Sequence, residues 1–456
     1  MIDQVEAIAR QSVKRRIALA TVVMICLASA TVRAQTPVDS ALLAYVMAIR
    51  AVDVHAHPMR PVAPGAPADT EFDALPLDGI PPFPVPHRLT LDDPVWRAAQ
   101  DALFRVPAAS SDSAFRAALR AAVEGTRRER GQGFPAWTLD AAGIEVMLAN
   151  RIAMGAGLES PRFRWVPFAD PLLLPLDTRR EAGRTADTRS LYPKEAALLA
   201  RYMREVRVAK LPPTLDAYVG TVVRPTLQRW RSGGAVGVKL EAAYLRPLDF
   251  DDADPAAART VYARYAPGGV PTHAEYKTLE DYLVRVVARE AGRLGLTMQI
   301  HTLETFGGYY QSSGAAPHLL EPLVNDSTLR ATKFVIVHGG WPLIGETQAL
   351  LSKPNVYADI SMMDVMLSPA VLAGVLRQWL GEWPDKVLFG SDAFDGGPEQ
   401  GWEQVAWVGS TTARRALAIA LTAMMRDGEI TRSRAESLAR MVMRENAMAA
   451  YDLGTR

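Results

Sequence analysis

A (β/α)8 barrel is the fold the sequence predicts, on three observations. Short apolar runs, nearly continuous rather than alternating, read as parallel strands buried on both faces. Eight such runs alternate with amphipathic helical stretches, the pattern of a closed barrel or of a doubly wound sheet. Four of the runs end in histidine or aspartate, and a closed barrel brings the ends of its first, fifth, sixth and eighth strands to one mouth where a doubly wound sheet does not.

The first segment stands apart from the fold. Lys14, Arg15 and Arg16 precede an apolar run from Ile17 to Ala30, and Val32-Arg33-Ala34 sets small residues at the two positions a signal peptidase reads. Residues 1–34 are therefore expected to be a secretory signal peptide. The run is too short for a confident membrane span, a retained anchor being the alternative. Cys26, the sole cysteine, falls within it, and Ile25 before it does not suit a lipoprotein signal. Residues 35–456 are then expected to be one exported domain, periplasmic or secreted, without thiol or disulfide. Residues 1–34 carry five basic and two acidic residues, so their removal turns the formal charge from +1 to −2. That balance excludes nucleic acid or an anionic membrane as the natural partner.

The elements follow in order. Residues 38–49 read as a short helix feeding strand one, Ala51 to His57. Residues 58–86 are too rich in proline for helix or sheet and form a long loop. With the helical patterns at 92–104 and 112–130, this loop makes a long proline-rich and helical insertion after strand one. Strand two is read at 143–149, strand three at 163–168, and strand four at 235–240 after two helices split by Pro212-Pro213. A strongly periodic helix at 277–294 leads to strand five, ending at His301. Helices at 319–329, 343–351 and 369–380 separate strand six, ending at His338, strand seven at 355–360, and strand eight, ending at Asp392; helices complete the chain.

The chemistry is concentrated at those strand ends. Two histidines two residues apart, His55 and His57, point to the same side of a strand and make a two-pronged metal grip. With His301, His338 and Asp392 they suit a borderline divalent ion: zinc first, manganese or iron next, one or two ions. Such an ion lowers the pKa of a bound water and polarises a carbonyl, and Asp392 can move the proton to the leaving group. His338 either ligates a second ion or hydrogen-bonds the substrate oxygen; for Asp392 the alternative is a helix N-cap. Lys239, at the end of strand four, has two readings. As a neutral amine it can form a carbamate that bridges two ions; as a cation it receives a substrate carboxylate. Glu241 is expected on the opposite side of the strand, an unsuitable partner for Lys239. Tyr244, Arg246 and Glu304 lie on mouth loops and are the candidates for substrate binding.

This constellation, His55-x-His57, His301, His338 and Asp392 in that order, resembles the metal-site pattern of the amidohydrolase superfamily and spans nearly all of residues 35–456. Gln299-Ile300-His301-Thr302, Val337-His338-Gly339-Gly340-Trp341-Pro342, residues 355–361 and residues 239–249 are similar to the amidohydrolase-related branch that includes FluG- and nodulin-type domains. The resemblance implies hydrolysis of an amide, ester or lactone, while some relatives decarboxylate or isomerise. The alternatives are a mononuclear metal-dependent decarboxylase and a non-catalytic metal-binding scaffold. The partner expected is a small-molecule substrate, with no stable membrane insertion after processing; a homo-oligomer is compatible with the sequence. His87, His273 and His318 follow no strand and are expected at the surface. Trp341, Trp379, Trp383, Trp402 and Trp407 read as core of the outer helical layer. No phosphate loop, Gly-x-Ser-x-Gly elbow or nucleotide fingerprint occurs.

Overall fold

The computed structural model describes residues 38–62, 65–76, 80, 84–106, 111–185, 187–302, 311–397 and 399–454. The expected signal segment and Glu304 lie outside the described residues.

Eight parallel strands form: β1 Ala51–Ala56, β2 Ile144–Asn150, β3 Phe163–Val166, β4 Gly237–Leu240, β5 Thr297–His301, β6 Phe334–Val337, β7 Val356–Asp359 and β8 Val387–Leu388. Ladders join β1 to β2 to β3, and β4 through β8 in sequence order. Backbone hydrogen bonds close both seams. Between β3 and β4 Val236 donates to Trp165 (2.9 Å) and Lys239 to Pro167 (2.8 Å); between β8 and β1 Val54 donates to Phe389 (3.0 Å) and Asp392 to His55 (2.8 Å). The chain is thus a closed (β/α)8 barrel. The last seam runs beyond the two ladder residues of β8 to Asp392 and thereby ties a candidate catalytic residue to the backbone of His55.

Most strands are buried throughout, which is why they read as apolar runs rather than as alternating ones. Val52, Val54, Leu148, Val166, Val335, Val337 and Leu388 pack with Ala447, Ala450 and Tyr451, so the helix Asn446–Ala450 and the residue after it complete the core. Trp379 and Trp402 are fully buried, as the helical spacing predicts, while Trp341 and Trp407 are half-buried.

Several helices were not legible. Phe134–Ala141 and Pro255–Tyr265 fall where no helix was expected. The second has Asp254 as N-cap and proline at its start, a signal hidden by weak amphipathicity. The helix expected at 277–294 begins earlier, at His273, where Thr272 and Glu275 form a reciprocal capping box. The insertion after β1 holds the helices Pro94–Phe104 and Asp112–Arg130, near the bounds expected. Among the described residues no helix is long and apolar enough to cross a membrane.

Candidate metal centre

Each strand end delivers one functional side chain to the mouth. His55 lies on β1 and His57 one residue past its last; His301 ends β5; His338 follows β6; Asp392 follows β8. His55 Nε2 lies 3.1 Å from Asp392 Oδ1, His57 Nε2 3.6 Å from the same oxygen, and His338 Nε2 3.9 Å from Asp392 Oδ2. His301 Nδ1 is 3.2 Å from His338 Nε2, and Lys239 Nζ is 3.2 Å from His55 Nε2. All six groups expected from the sequence therefore meet, and all are buried except the 14% exposed carboxylate of Asp392.

Local backbone conformation is part of how they meet. His338, Gly339 and Gly340 have φ of +63°, +58° and +67°, and Asp392 has φ of +50°. Left-handed backbone is uncommon outside glycine, and strain of this kind concentrates at functional positions. A Cβ on Gly339 would lie 2.6 Å from the Trp379 ring, so glycine is required both by conformation and by space.

Supporting hydrogen bonds aim the imidazoles. Gln299 Oε1 lies 3.2 Å from His55 Nδ1 and also accepts from Asn150 (2.8 Å), while Gln299 Nε2 donates to Val54 O and Tyr451 Oη. With its amide so placed, Gln299 accepts the Nδ1 proton and leaves the His55 Nε2 lone pair turned to the mouth, beside Lys239 Nζ. Past the end of β7, Ser361 Oγ lies 2.9 Å from His338 Nδ1 and donates to Asp359 (2.5 Å), which gives His338 the same tautomer. His301 Nε2 is buried with no partner.

Electrostatics agree with neutral ligands around one carboxylate. Burial, aided by the Lys239 charge, holds His55 well below the usual histidine range; burial with His338 and Lys239 does the same for His301. Burial takes His338 down to about 4. For Asp392 burial works upward, but the His338 and His55 rings outweigh it and hold the carboxyl well below its usual range. Beneath the site, burial pushes Asp53 up to about 7 and Asp359 up to about 6 against hydrogen bonds from Ser391 and Ser361.

A divalent ion fits these residues. His55, His338 and Asp392 bring ligand atoms within 4.8 Å of one another, and two imidazole nitrogens facing each other at 3.2 Å must share either a proton or a cation. The site opens into a cavity of about 550 Å³ whose far wall is Phe72, Leu75, Trp96 and Phe394.

Of the residues expected to bind substrate, Tyr244 lines this cavity, its ring 4.6 Å from that of His301. Arg246 does not: it lines a neighbouring cavity of about 330 Å³ and is held by Glu280 (3.0 Å) and Asp281 (3.2 Å). The expectation for Glu241 needs correction. Residues two apart share a strand face, so Glu241 follows Lys239 to the same side and lines the same cavity. His87 and His318 are exposed and His273 half-buried, as expected of histidines off the strands.

Sequence reasoning missed Asp73, Gln299 and Ser361. Gln299 was findable, being a polar residue two positions before His301 inside an apolar strand. Asp73 sits in the proline-rich loop, where no periodicity reports which way a side chain points.

An amidohydrolase family model matches residues 204–453, more than half of the chain. No curated protein matches it. Among solved structures, a protein of Lactobacillus casei ATCC 334 assigned as a metal-dependent hydrolase shares 15% identity at a TM-score of 0.57, over 90% of this chain and 97% of that one. Uronate isomerase of Thermotoga maritima is similar at 13% identity and TM-score 0.52, over 90% and 96%. Glucuronate isomerase of Caulobacter crescentus is similar at 14% and 0.51, over 91% and 94%. These likenesses speak for the shared barrel, and the family match for membership: the chain belongs to the amidohydrolase family, whose enzymes work through a divalent metal.

Proposed function

We propose that the protein is an exported hydrolase that uses a metal-activated water on the carbonyl of a small amide, ester or lactone, with zinc as the first candidate ion. The observation that carries this reading is Asp392: an ionised carboxylate beside lone pairs of His55 and His338, at the floor of a cavity with an apolar wall. When bound, the ion supplies an acidified water and a polarised carbonyl.

The chain's own residues do the rest. His55, His338 and Asp392 hold the ion, with His301 beside them. Asp392, which lines the cavity, accepts the proton of the attacking water and returns it to the leaving group. Phe72, Leu75, Trp96 and Phe394 exclude bulk water, which strengthens each of these interactions. Tyr244 is placed to meet a substrate group over His301. Two chemistries are open to Lys239: a neutral amine combined with carbon dioxide, losing a proton, would offer carbamate oxygens to a metal beside His55, and a cation would take a substrate carboxylate. The cavity volume suits one small molecule.

Metal analysis of purified protein followed by a turnover screen over lactones, N-acyl amino acids, dipeptides, aromatic acids and uronates tests this. Hydrolysis that disappears with the metal and returns on reloading is the result expected. Decarboxylation of an aromatic acid, or isomerisation of a uronate with no hydrolysis, would replace it; a metal-free, inactive protein would leave a scaffold. Export is tested by sequencing the N-terminus of secreted material, expected to begin at Gln35; a full-length product kept in the membrane would overturn it.

A further inference from the structure

The substrate cavity is divided by chemistry. Phe72, Leu75, Val85, Leu89 and Trp96 of the insertion after β1, with Phe394 after β8, give it an apolar wall facing away from the strand-end groups. Phe72, Leu89 and Phe394 are half-buried and Val85 is exposed, so apolar surface is held open to water there. A ligand that covers it is stabilised by burial. The wall is also anchored. Asp69 is fully buried against Arg151 (3.0 Å), which donates as well to the carbonyls of Pro58 (2.6 Å) and Ala153 (3.0 Å). Arg201 holds both oxygens of Glu71 (2.9 and 2.7 Å), and Lys194 donates to the carbonyl of Pro76 (2.7 Å). Phe72 and Leu75 lie between these ties. Trp96 Nε1 donates to the carbonyl of Arg88 (2.9 Å), which leaves its ring to the cavity as apolar surface, and Gln400 donates to the carbonyl of Leu89 (2.8 Å).

Cations are missing from this wall. Among the described residues Lys239 is the cavity's one lysine, and no arginine lines it. The stretches outside the described residues between positions 38 and 454 contain neither residue type. Lys239 is 1% exposed with Nζ 3.2 Å from His55 Nε2, so an anion paired with it lies among the strand-end groups and not against the wall. Arginine is not scarce nearby. Two cavities share a lining residue with this one, through Tyr244 and through Asp395; the first is lined by Arg184, Arg246 and Lys277, the second by Arg60, Arg127 and Arg128. An anionic group set against the apolar wall would lose water without gaining a partner.

We propose that the substrate is a carbonyl compound whose far end, remote from the reacting carbonyl, is an uncharged aryl or branched alkyl group seated on the wall of Phe72, Leu75, Val85, Leu89, Trp96 and Phe394. Sugar acids, and compounds that carry an anion or a run of hydroxyls at that end, are disfavoured by the same wall. The inference rests on the proposed hydrolytic reading for which carbonyl reacts, while recognition of the far end is a matter of binding and is measured without turnover.

Calorimetric titration of the metal-loaded full chain with three ketones, which cannot be hydrolysed, tests it: acetone, 4-phenyl-2-butanone and 4-(4-carboxyphenyl)-2-butanone. The phenyl ketone is expected to bind about tenfold or more tighter than either of the others, with a negative heat-capacity change. Phe72→Ser, on the insertion loop, should weaken the phenyl ketone about threefold or more and leave acetone unchanged. Val85→Arg, at an exposed position, should tighten the carboxyphenyl ketone about fivefold or more, a gain that high salt removes. Far-UV circular dichroism and bound metal establish that each variant is folded and loaded, and the comparison of probes on wild type needs no variant. Binding of the carboxyphenyl ketone by wild type as tight as that of the phenyl ketone, or no binding of the phenyl ketone, would overturn the inference. So would unchanged affinities in both variants, or turnover of glucuronate. Selectivity for the phenyl ketone in a protein that hydrolyses no neutral amide, ester or lactone keeps the wall and removes the hydrolytic reading; hydrolysis without that selectivity does the reverse.

Discussion

Two neighbouring cavities at the barrel mouth treat buried charge in opposite ways. Around Arg246 every charge has a partner: Glu280 and Asp281 flank the guanidinium, and Lys277 binds Asp251 (2.8 Å) and Asp281 (2.7 Å). Around Asp392 burial holds His55, His301 and His338 below the usual histidine range, and His301 Nε2, His57 Nδ1 and Glu241 Oε2 have no hydrogen-bond partner. Tyr244 lines both cavities. The first region pairs its cations with carboxylates and leaves Glu181 Oε1 and Thr185 Oγ1 bare, while the second leaves ligand-type atoms of His57, Glu241 and His301 bare around one carboxylate. Bare ligand-type atoms around one carboxylate, not the mere presence of buried ionisable groups, separate a site from a strut.

The largest effect that could break this contrast is at Asp392. Asp392→Asn is expected to lower kcat by about 10³-fold or more through loss of both ligand and proton acceptor, with little change in melting temperature. A variant that keeps its activity would show that the incomplete cavity is not the reaction centre.

Next is Lys239→Ala, which sorts the two chemistries of that side chain. A carbamate predicts one ion fewer, a strong fall in kcat and partial rescue by short-chain carboxylates. A cation predicts unchanged metal content and mainly a higher KM.

Gln299→Leu sharpens the comparison from beneath. Without an acceptor at His55 Nδ1 the tautomer is no longer imposed, and metal affinity is expected to fall about 10–100-fold in a competition with a chelator. Equal affinity in this variant would separate tautomer control from metal binding.

Arg246→Met should act on the fold alone. Removing one partner of a buried pair costs about 3–5 kcal/mol, read by denaturant unfolding, and metal content per folded chain should stay as in wild type. Loss of metal would mean that the two cavities are coupled.

The smallest effect is a pH slope. Burial pushes Glu280 up to about 7 from a usual 4.5, so between these values the folded chain holds a proton the unfolded chain has lost. Its contribution therefore falls as pH rises through that window, by about 1.4 kcal/mol per unit at most. Glu280→Gln should flatten that slope relative to wild type, and parallel curves for the two proteins would argue against it.

The strand ends show what was legible from the chain alone. A histidine or aspartate closing an apolar run needs only the period-two geometry of a strand and the convergence of barrel ends, both local rules repeated eight times. His55, His57, His301, His338 and Asp392 could thus be named in order as groups that meet at the mouth. Glu241 obeyed the same rule, and the reading that set it opposite Lys239 misapplied the period.

Other features depended on distance through space. Arg246 sits at a mouth loop in sequence, but Glu280 and Asp281, one turn of a distant helix, capture it. Asp73 reaches His57 out of a proline-rich loop that carries no periodic signal, and Asp392 takes its left-handed backbone from the seam that joins β8 to β1. Sequence alone determined the barrel and the histidine and aspartate side chains at its strand ends, because side-chain direction along a strand is set by backbone geometry. Which polar atoms are paired and which stay bare was decided only by the tertiary structure, because pairing depends on groups remote in sequence that packing brings within about 3 Å.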